Sequence, residues 1–222
     1  MGIRTAFALR EMVPIHASMP TLPRHIALVN VDGDNCSSAI AFILDDFEEA
    51  FNVYARHDAD PDARISDITH LDASRTSEDG MEARPSFDTV ILGYDACEND
   101  LPGRIANQLH DLLTPGMRLY AIATAKDHDP ELAASSFKSL ETFCSEYRLS
   151  WCGGLAVGAS DMIPAIAKTP RMGMVRRRLS EATDKLILAV RCGTDAGALT
   201  APAPVPRFAY RLFANKLRRS SS

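Results

Sequence analysis

The residues best placed for chemistry form one short run, Asp32-Gly33-Asp34-Asn35-Cys36-Ser37-Ser38. It follows an apolar segment, His25–Val31, and precedes a stretch in which Ile40, Ile43, Phe47, Ala50/Phe51 and Tyr54 recur at steps of three and four. A loop that leads from a buried strand into a helix presents free backbone N–H groups and the positive end of the helix dipole, which suits a phosphate. Gly33 permits close backbone approach, and Asn35, Ser37 and Ser38 can donate to phosphate oxygens. The same Asn and Ser types equally serve as plain helix caps. Asp32 and Asp34 oppose a phosphate dianion: at an effective dielectric of about 20, a like-charge pair about 5 Å apart costs about 3 kcal/mol before screening.

Other chemistries find less support. His57, His70, His110 and His128 are scattered, and no C-x-x-C or H-x-x-x-H pair occurs, so the spacing of a zinc site is missing. Asp32, Asp34, Asp95 and Asp100 could converge at one sheet edge and hold Mg²⁺, a minor reading. No G-x-S-x-G or P-loop motif is present. A net charge of -5 and a pI near 5.7 argue against a general nucleic-acid binder. The five cysteines, Cys36, Cys97, Cys144, Cys152 and Cys192, read as reduced thiols of a cytoplasmic protein. No apolar run approaches the roughly 20 residues of a membrane span.

The elements that must position the loop alternate along the chain. Apolar runs predict strands at His25–Val31, Arg64–Leu71, Asp88–Gly93, Met117–Thr124 and Leu149–Val157. Between them, helical periods run from Ile40 to Tyr54, from Leu101 to Leu113, from Pro130 to Tyr147, and over about Met172–Arg191. Residues 72–86 are polar and read as a loop. The clustered acids Asp45, Asp46, Glu48 and Glu49 read as mostly solvent-facing, and so does the Arg176-Arg177-Arg178 run. Alternating strands and helices imply parallel pairing through right-handed crossovers, hence an α/β open, doubly wound five-stranded parallel sheet with helices on both faces.

Three further stretches carry a resemblance. Asp88–Leu113 combines a strand, the loop Tyr94-Asp95-Ala96-Cys97-Glu98-Asn99-Asp100, a Leu101-Pro102-Gly103 step into a helix, and Asp111 near its end. Phe143–Ile163 contains Trp151-Cys152-Gly153-Gly154, and the tail contains Pro206-Arg207-Phe208 with Tyr210. From His25 to about Arg191 the chain resembles the flavodoxin-like NAD(P)H-dependent FMN reductases. The resemblance implies strand order 2-1-3-4-5, with FMN where the order reverses between strands 1 and 3. It implies NAD(P)H as reductant, a small-molecule electron acceptor, a cytoplasmic protein and a homodimer. Its cofactor contacts would fall on Gly33, Asn35, Ser37 and Ser38 for the phosphate, on Tyr94, Ala96 and Cys97 in the loop after strand three, and on Thr124, Lys126 and His128 after strand four. No catalytic side chain is implied, because the flavin supplies the chemistry.

The chain departs from this pattern in three places. Acids replace the expected Gly-Ser and cationic loop residues. Tyr94 stands two places earlier than the expected aromatic, and no glycine follows strand four. Two readings follow: a remodelled FMN pocket, or a flavodoxin fold that has lost FMN and acts as a binding or regulatory module.

The domain reading is a flexible lead at 1–22, the α/β domain at 23–192, a linker at 193–206 whose APAPVP run is linker chemistry, and a basic-aromatic segment at 207–222. That segment reads first as a strap that packs Phe208, Phe213 and Leu217 on its own domain or on a second copy. Docking of 207–219 on an anionic membrane surface or a partner is the alternative.

Overall fold

The computed structural model describes residues 23, 25–31, 38–56, 67–72, 86–96 and 101–211. Strands β1 (His25–Asn30), β2 (Asp67–Asp72), β3 (Thr89–Asp95), β4 (Arg118–Thr124), β5 (Ser150–Val157) and β6 (Ala198–Ala201) form one sheet in the order β2-β1-β3-β4-β5-β6. All of its pairings are parallel. The helices are α1 (Ser38–Arg56), α2 (Leu101–Leu109), α3 (Glu131–Tyr147), the single turn α4 (Ile163–Ile166) and α5 (Arg177–Cys192).

The expectation of five strands is corrected to six. The sixth comes from the stretch read as a linker on its Pro-Ala alternation. Ala198–Ala201 pairs with Gly154–Val157, and Pro202 follows at once. Pro lacks the N–H a ladder needs, so a short edge strand ending there accommodates the proline-rich sequence.

Alternate residues of each strand enter two cores, which is why the strands read as continuous apolar runs. Ile26, Leu28, Ile91, Tyr120, Ile122 and Leu155 pack with α1, α4 and α5. Ala27, Val29, Val90, Leu92, Leu119 and Ala121 pack with α2 and α3. Two glycines set close approaches. A Cβ on Gly93 would stand 2.7 Å from Ile40 Cγ2 and 2.9 Å from Leu44 Cδ1, so α1 lies tight against β3. Gly153 has φ +83°, and the β4–β5 register shifts opposite it between Leu119 and Ala121. The Trp-Cys-Gly-Gly run thus builds a bulge.

The last helix begins at Arg177 rather than Met172. Residues 167–176 form a loop held by charge. Asp46, only 4% exposed, accepts from Arg171 Nη1 at 2.9 Å and from Arg176 Nη2, and Arg171 Nη2 reaches Asp184 on α5. The Arg176 guanidinium also lies 4.6 Å from the Phe42 ring centroid. Asp46 and Arg176 are therefore buried, against the expectation that both faced solvent. Val175, Leu132 and Tyr147, apolar residues within the predicted helical periods, are exposed. No described helix is long and apolar enough to cross a membrane.

Burial pushes the Asp46 carboxyl above its ordinary range, against the pull of Arg171 and Arg176. Removing one partner of a buried pair leaves the other charge uncompensated. Asp46→Ala is therefore expected to lower the free energy of unfolding by about 3–5 kcal/mol, read from urea midpoints. The raised folded pKa also fixes a sign. The carboxyl's contribution is full below its unfolded value of 3.8 and is lost as pH rises through the folded value. The stability advantage of wild type over Asp46→Asn should narrow as pH rises through that window.

Candidate functional site

The strand registers align the carboxyl ends in one row. Asn30 pairs with Gly93, Asp95 with Thr124, Thr124 with Val157, and Val157 with Ala201. Pairing runs one residue further. The N–H of Val31 donates to Gly93 O at 3.0 Å, that of Ala96 to Thr124 O at 2.8 Å, that of Ala125 to Val157 O at 2.9 Å, and that of Gly158 to Ala201 O at 3.0 Å. The Ala96 amide, a candidate for the flavin edge, is thereby committed to the sheet.

Of the candidate phosphate residues, Ser38 is the first residue of α1, while Gly33, Asn35 and Ser37 lie outside the described residues, as does Cys97. The order β2-β1-β3 puts the end of β1 and the start of α1 where strand order reverses, the place at which open α/β sheets bind ligands.

Tyr94 is 0% exposed, on the α2 and α3 side of the sheet. Ser136 Oγ gives its proton to Ala133 O at 2.6 Å, so the Tyr94 hydroxyl is the donor in its 2.6 Å bond to Ser136. Burial pushes the phenol pKa up. The ring is a core element and offers no face to a flat ligand.

Thr124 lies in the row, 0% exposed, on the α1 side with Tyr120 and Ile122 by strand alternation. Its Oγ1 has no hydrogen-bond partner among the described residues, and neither does the Oγ of Ser160, which is 2% exposed. The Ser160 N–H donates to Ala125 O at 3.0 Å, so the two orphan hydroxyls flank Ala125 at the carboxyl edge. Buried hydroxyls are ordinarily satisfied, so this unpartnered pair stands out at the carboxyl edge.

Sequence reasoning missed Arg104. From the first turn of α2 its Nη2 donates to Val31 O at 2.9 Å, bringing a cation to the residue immediately before Asp32. The candidate loop lacks a cation of its own, and the neighbouring helix supplies one. The only signal was an Arg directly after Leu101-Pro102-Gly103.

The β4–α3 loop is engaged by the C-terminal segment. His128 Nε2 donates to Val205 O at 2.9 Å, and its Nδ1 lies 2.9 Å from Asp129 Oδ1. Arg207 pairs with Asp129, the Tyr210 hydroxyl donates to Lys126 O, and the Tyr210 ring stands edge-on to His128 with centroids 5.7 Å apart. A cleft of about 580 Å³ remains among Asp127, His128, Glu131, Arg207, Tyr210 and Arg211. Lys126 keeps an exposed side chain. The strap expectation needs correcting in its anchor: Tyr210 holds the segment, whereas Phe208 is 70% exposed. Phe213 and Leu217 lie outside the described residues.

Thr124→Val removes an unpartnered hydroxyl at nearly constant shape. It is expected to raise the stability of the ligand-free protein by about 1–2 kcal/mol, because the desolvation cost of the orphan group disappears. Thermal unfolding of the two proteins checks this.

No protein-family model matches the chain, and no curated protein does. Among solved structures, the chain is similar to an azoreductase from Bacillus anthracis str. Sterne at 9% identity, covering 74% of this chain and 98% of that one, with a TM-score of 0.45. It is similar to an oxidoreductase from Corynebacterium diphtheriae at 14% identity, covering 79% and 96%, with a TM-score of 0.46.

Proposed function

We propose that this chain is a flavodoxin-like oxidoreductase that binds FMN at the carboxyl edge of its sheet and takes hydride from NAD(P)H for a small-molecule acceptor. The observation that carries the reading is the order β2-β1-β3-β4-β5, with α1 starting at the reversal between β1 and β3. The orphan hydroxyls of Thr124 and Ser160 and the guanidinium of Arg104 support it, since each suits a polar, anionic ligand at that edge.

The flavin supplies the redox chemistry when bound. The chain's own residues bind and orient it. The N-terminal turn of α1, with Ser38 and the preceding Gly33, Asn35 and Ser37, takes the phosphate, with Arg104 offsetting charge from the neighbouring helix. Thr124, Ala96, Cys97, Lys126 and His128 border the rest of the site. Tyr94 supports the strand from behind, so Tyr94→Phe should leave FMN affinity unchanged.

The absorption spectrum of the purified protein, taken again after incubation with excess FMN and desalting, tests the reading. Retained flavin bands and a ligand-induced rise in melting temperature are expected. Arg104→Gln should weaken FMN binding about tenfold, the size of one charge-assisted contact. A flat spectrum with no thermal shift would sink the reading and turn attention to a flavodoxin-fold binding module.

A further inference from the structure

The imidazole of His128 stands between two acceptors. Its Nε2 lies 2.9 Å from Val205 O, and its Nδ1 lies 2.9 Å from Asp129 Oδ1. A carbonyl oxygen only accepts, so Nε2 carries a proton. Asp129 pairs through its other oxygen, Oδ2, with Arg207, the partner of a carboxylate, so Oδ1 accepts as well. Neutral imidazole has one N–H and one lone pair and satisfies only one of these two partners. With Nε2 donating, the lone pair of Nδ1 would then face a carboxylate oxygen. The imidazolium donates to both, and its charge meets that of Asp129.

The two partners stand on different footing. The loop that carries His128 and Asp129 is fixed by the neighbouring strand end. The N–H of Ala159 donates to Asp127 O at 2.6 Å, and a Cβ on Gly158 would stand 2.5 Å from His128 O. The segment from Val205 to Arg211 rests on that loop through few contacts. They are the His128 bond to Val205 O, Arg207 on Asp129, and Tyr210, whose hydroxyl donates to Lys126 O and whose ring stands edge-on to His128. Its apolar footing is small: Val205 and Tyr210 reach a cluster of Ala159, Met162 and Ala203, and Phe208 is left exposed. His128 therefore touches the segment both by a hydrogen bond and by its ring.

Among the described residues, the other charges of this cleft are Asp127 and Glu131 on the loop side and Arg207 and Arg211 on the segment, with Lys126 exposed beside them. With Asp129, three acids stand against three cations, which leaves the direct contact of Nδ1 with Asp129 to decide what the imidazole's second proton is worth.

We propose that His128 is a pH-dependent latch for the C-terminal segment. Doubly protonated, it clamps Val205–Arg211 onto the β4–α3 loop at the carboxyl edge. On losing the Nδ1 proton it lets the segment detach and uncovers Lys126–Asp129. The docked form holds one proton more than the released form, so docking is full on the acid side of the ordinary histidine range, near about pH 6.5, and weakens as pH rises through it. The latch rests on these contacts and is independent of which ligand the edge takes.

Hydrogen exchange of the full, ligand-free chain, read by mass spectrometry at about pH 5.5 and about pH 8 and corrected for intrinsic rates, tests it on either side of that range. The N–H groups of Ala203 and Tyr210 bond to His128 O and Pro206 O, so peptides over 203–211 report docking. They are expected to be about tenfold more protected at the lower pH, the size of one charge-assisted contact, while peptides from β3 and β4 keep the same protection at both. His128→Gln keeps an N–H for Val205 O but does not titrate, so its 203–211 protection should be equal at the two pH values. Asp129→Asn should shrink the wild-type difference. Wild-type protection of 203–211 that is equal at both pH values or rises with pH would overturn the latch, and so would a full pH dependence that persists in either variant.

Discussion

Every strand of this sheet runs the same way, and that single constraint organises the molecule. Parallel neighbours cannot be joined by a tight turn, so each connection must cross back over a face, and the sheet becomes buried on both sides. All carboxyl ends, and the starts of the crossover helices, then fall on one edge. Orphan N–H groups, exposed loops and strand-end side chains gather there because nothing in the ladder can satisfy them. The site, the Arg104 contact, the open hydroxyls of Thr124 and Ser160 and the docked C-terminal segment are all consequences of that edge.

Loops on such an edge need anchoring, and the chain uses two different devices. The 167–176 loop is held by ion pairs to the buried Asp46. A buried pair is a weak source of net stability, since desolvation offsets much of the attraction. Its effect here is positional: Asp46 and Asp184 draw two arginines inward from α1 and α5, which fixes the course of the loop between them. The β4–α3 loop is held instead by neutral and charge-assisted contacts from the C-terminal segment through His128, Asp129 and Lys126. Sequence-distant groups set both loops, so their conformation is a tertiary property.

That distinction explains what could be read from the sequence. The first five strands and the crossover helices were legible because parallel strands must be apolar throughout and helices must show a period near 3.6. The sixth strand was not. Ala198–Ala201 is short, lies at the edge and runs into Pro202, so its composition matches that of a linker. Asp46 was misread because a carboxylate inside an acidic run looks solvated, and only Arg171 and Arg176, more than a hundred residues away, make its burial tolerable. Tyr94 looked like a loop aromatic, yet the register of β3 with β4 extends to Asp95 and draws the ring into the core. Thr124 was placed by its strand, but its lack of a hydrogen-bond partner is visible only once the neighbours are in place.

The electrostatic objection to a phosphate at the first loop also changes character in three dimensions. Taken along the chain, Asp32 and Asp34 have no cation beside them in the loop sequence, and each unit-charge pair with a phosphate about 5 Å away would cost about 3 kcal/mol at an effective dielectric of about 20. Taken in the fold, the guanidinium of Arg104 sits on the carbonyl of Val31, one residue before Asp32. The guanidinium and the positive end of α1 both lie at the end of β1, so the fold brings there the positive charge that the loop sequence lacks. That charge comes from α2, whose first turn reaches the end of β1. A helix that begins Leu101-Pro102-Gly103-Arg104 delivers the charge by its first turn, while the loop residues themselves are free to be acidic.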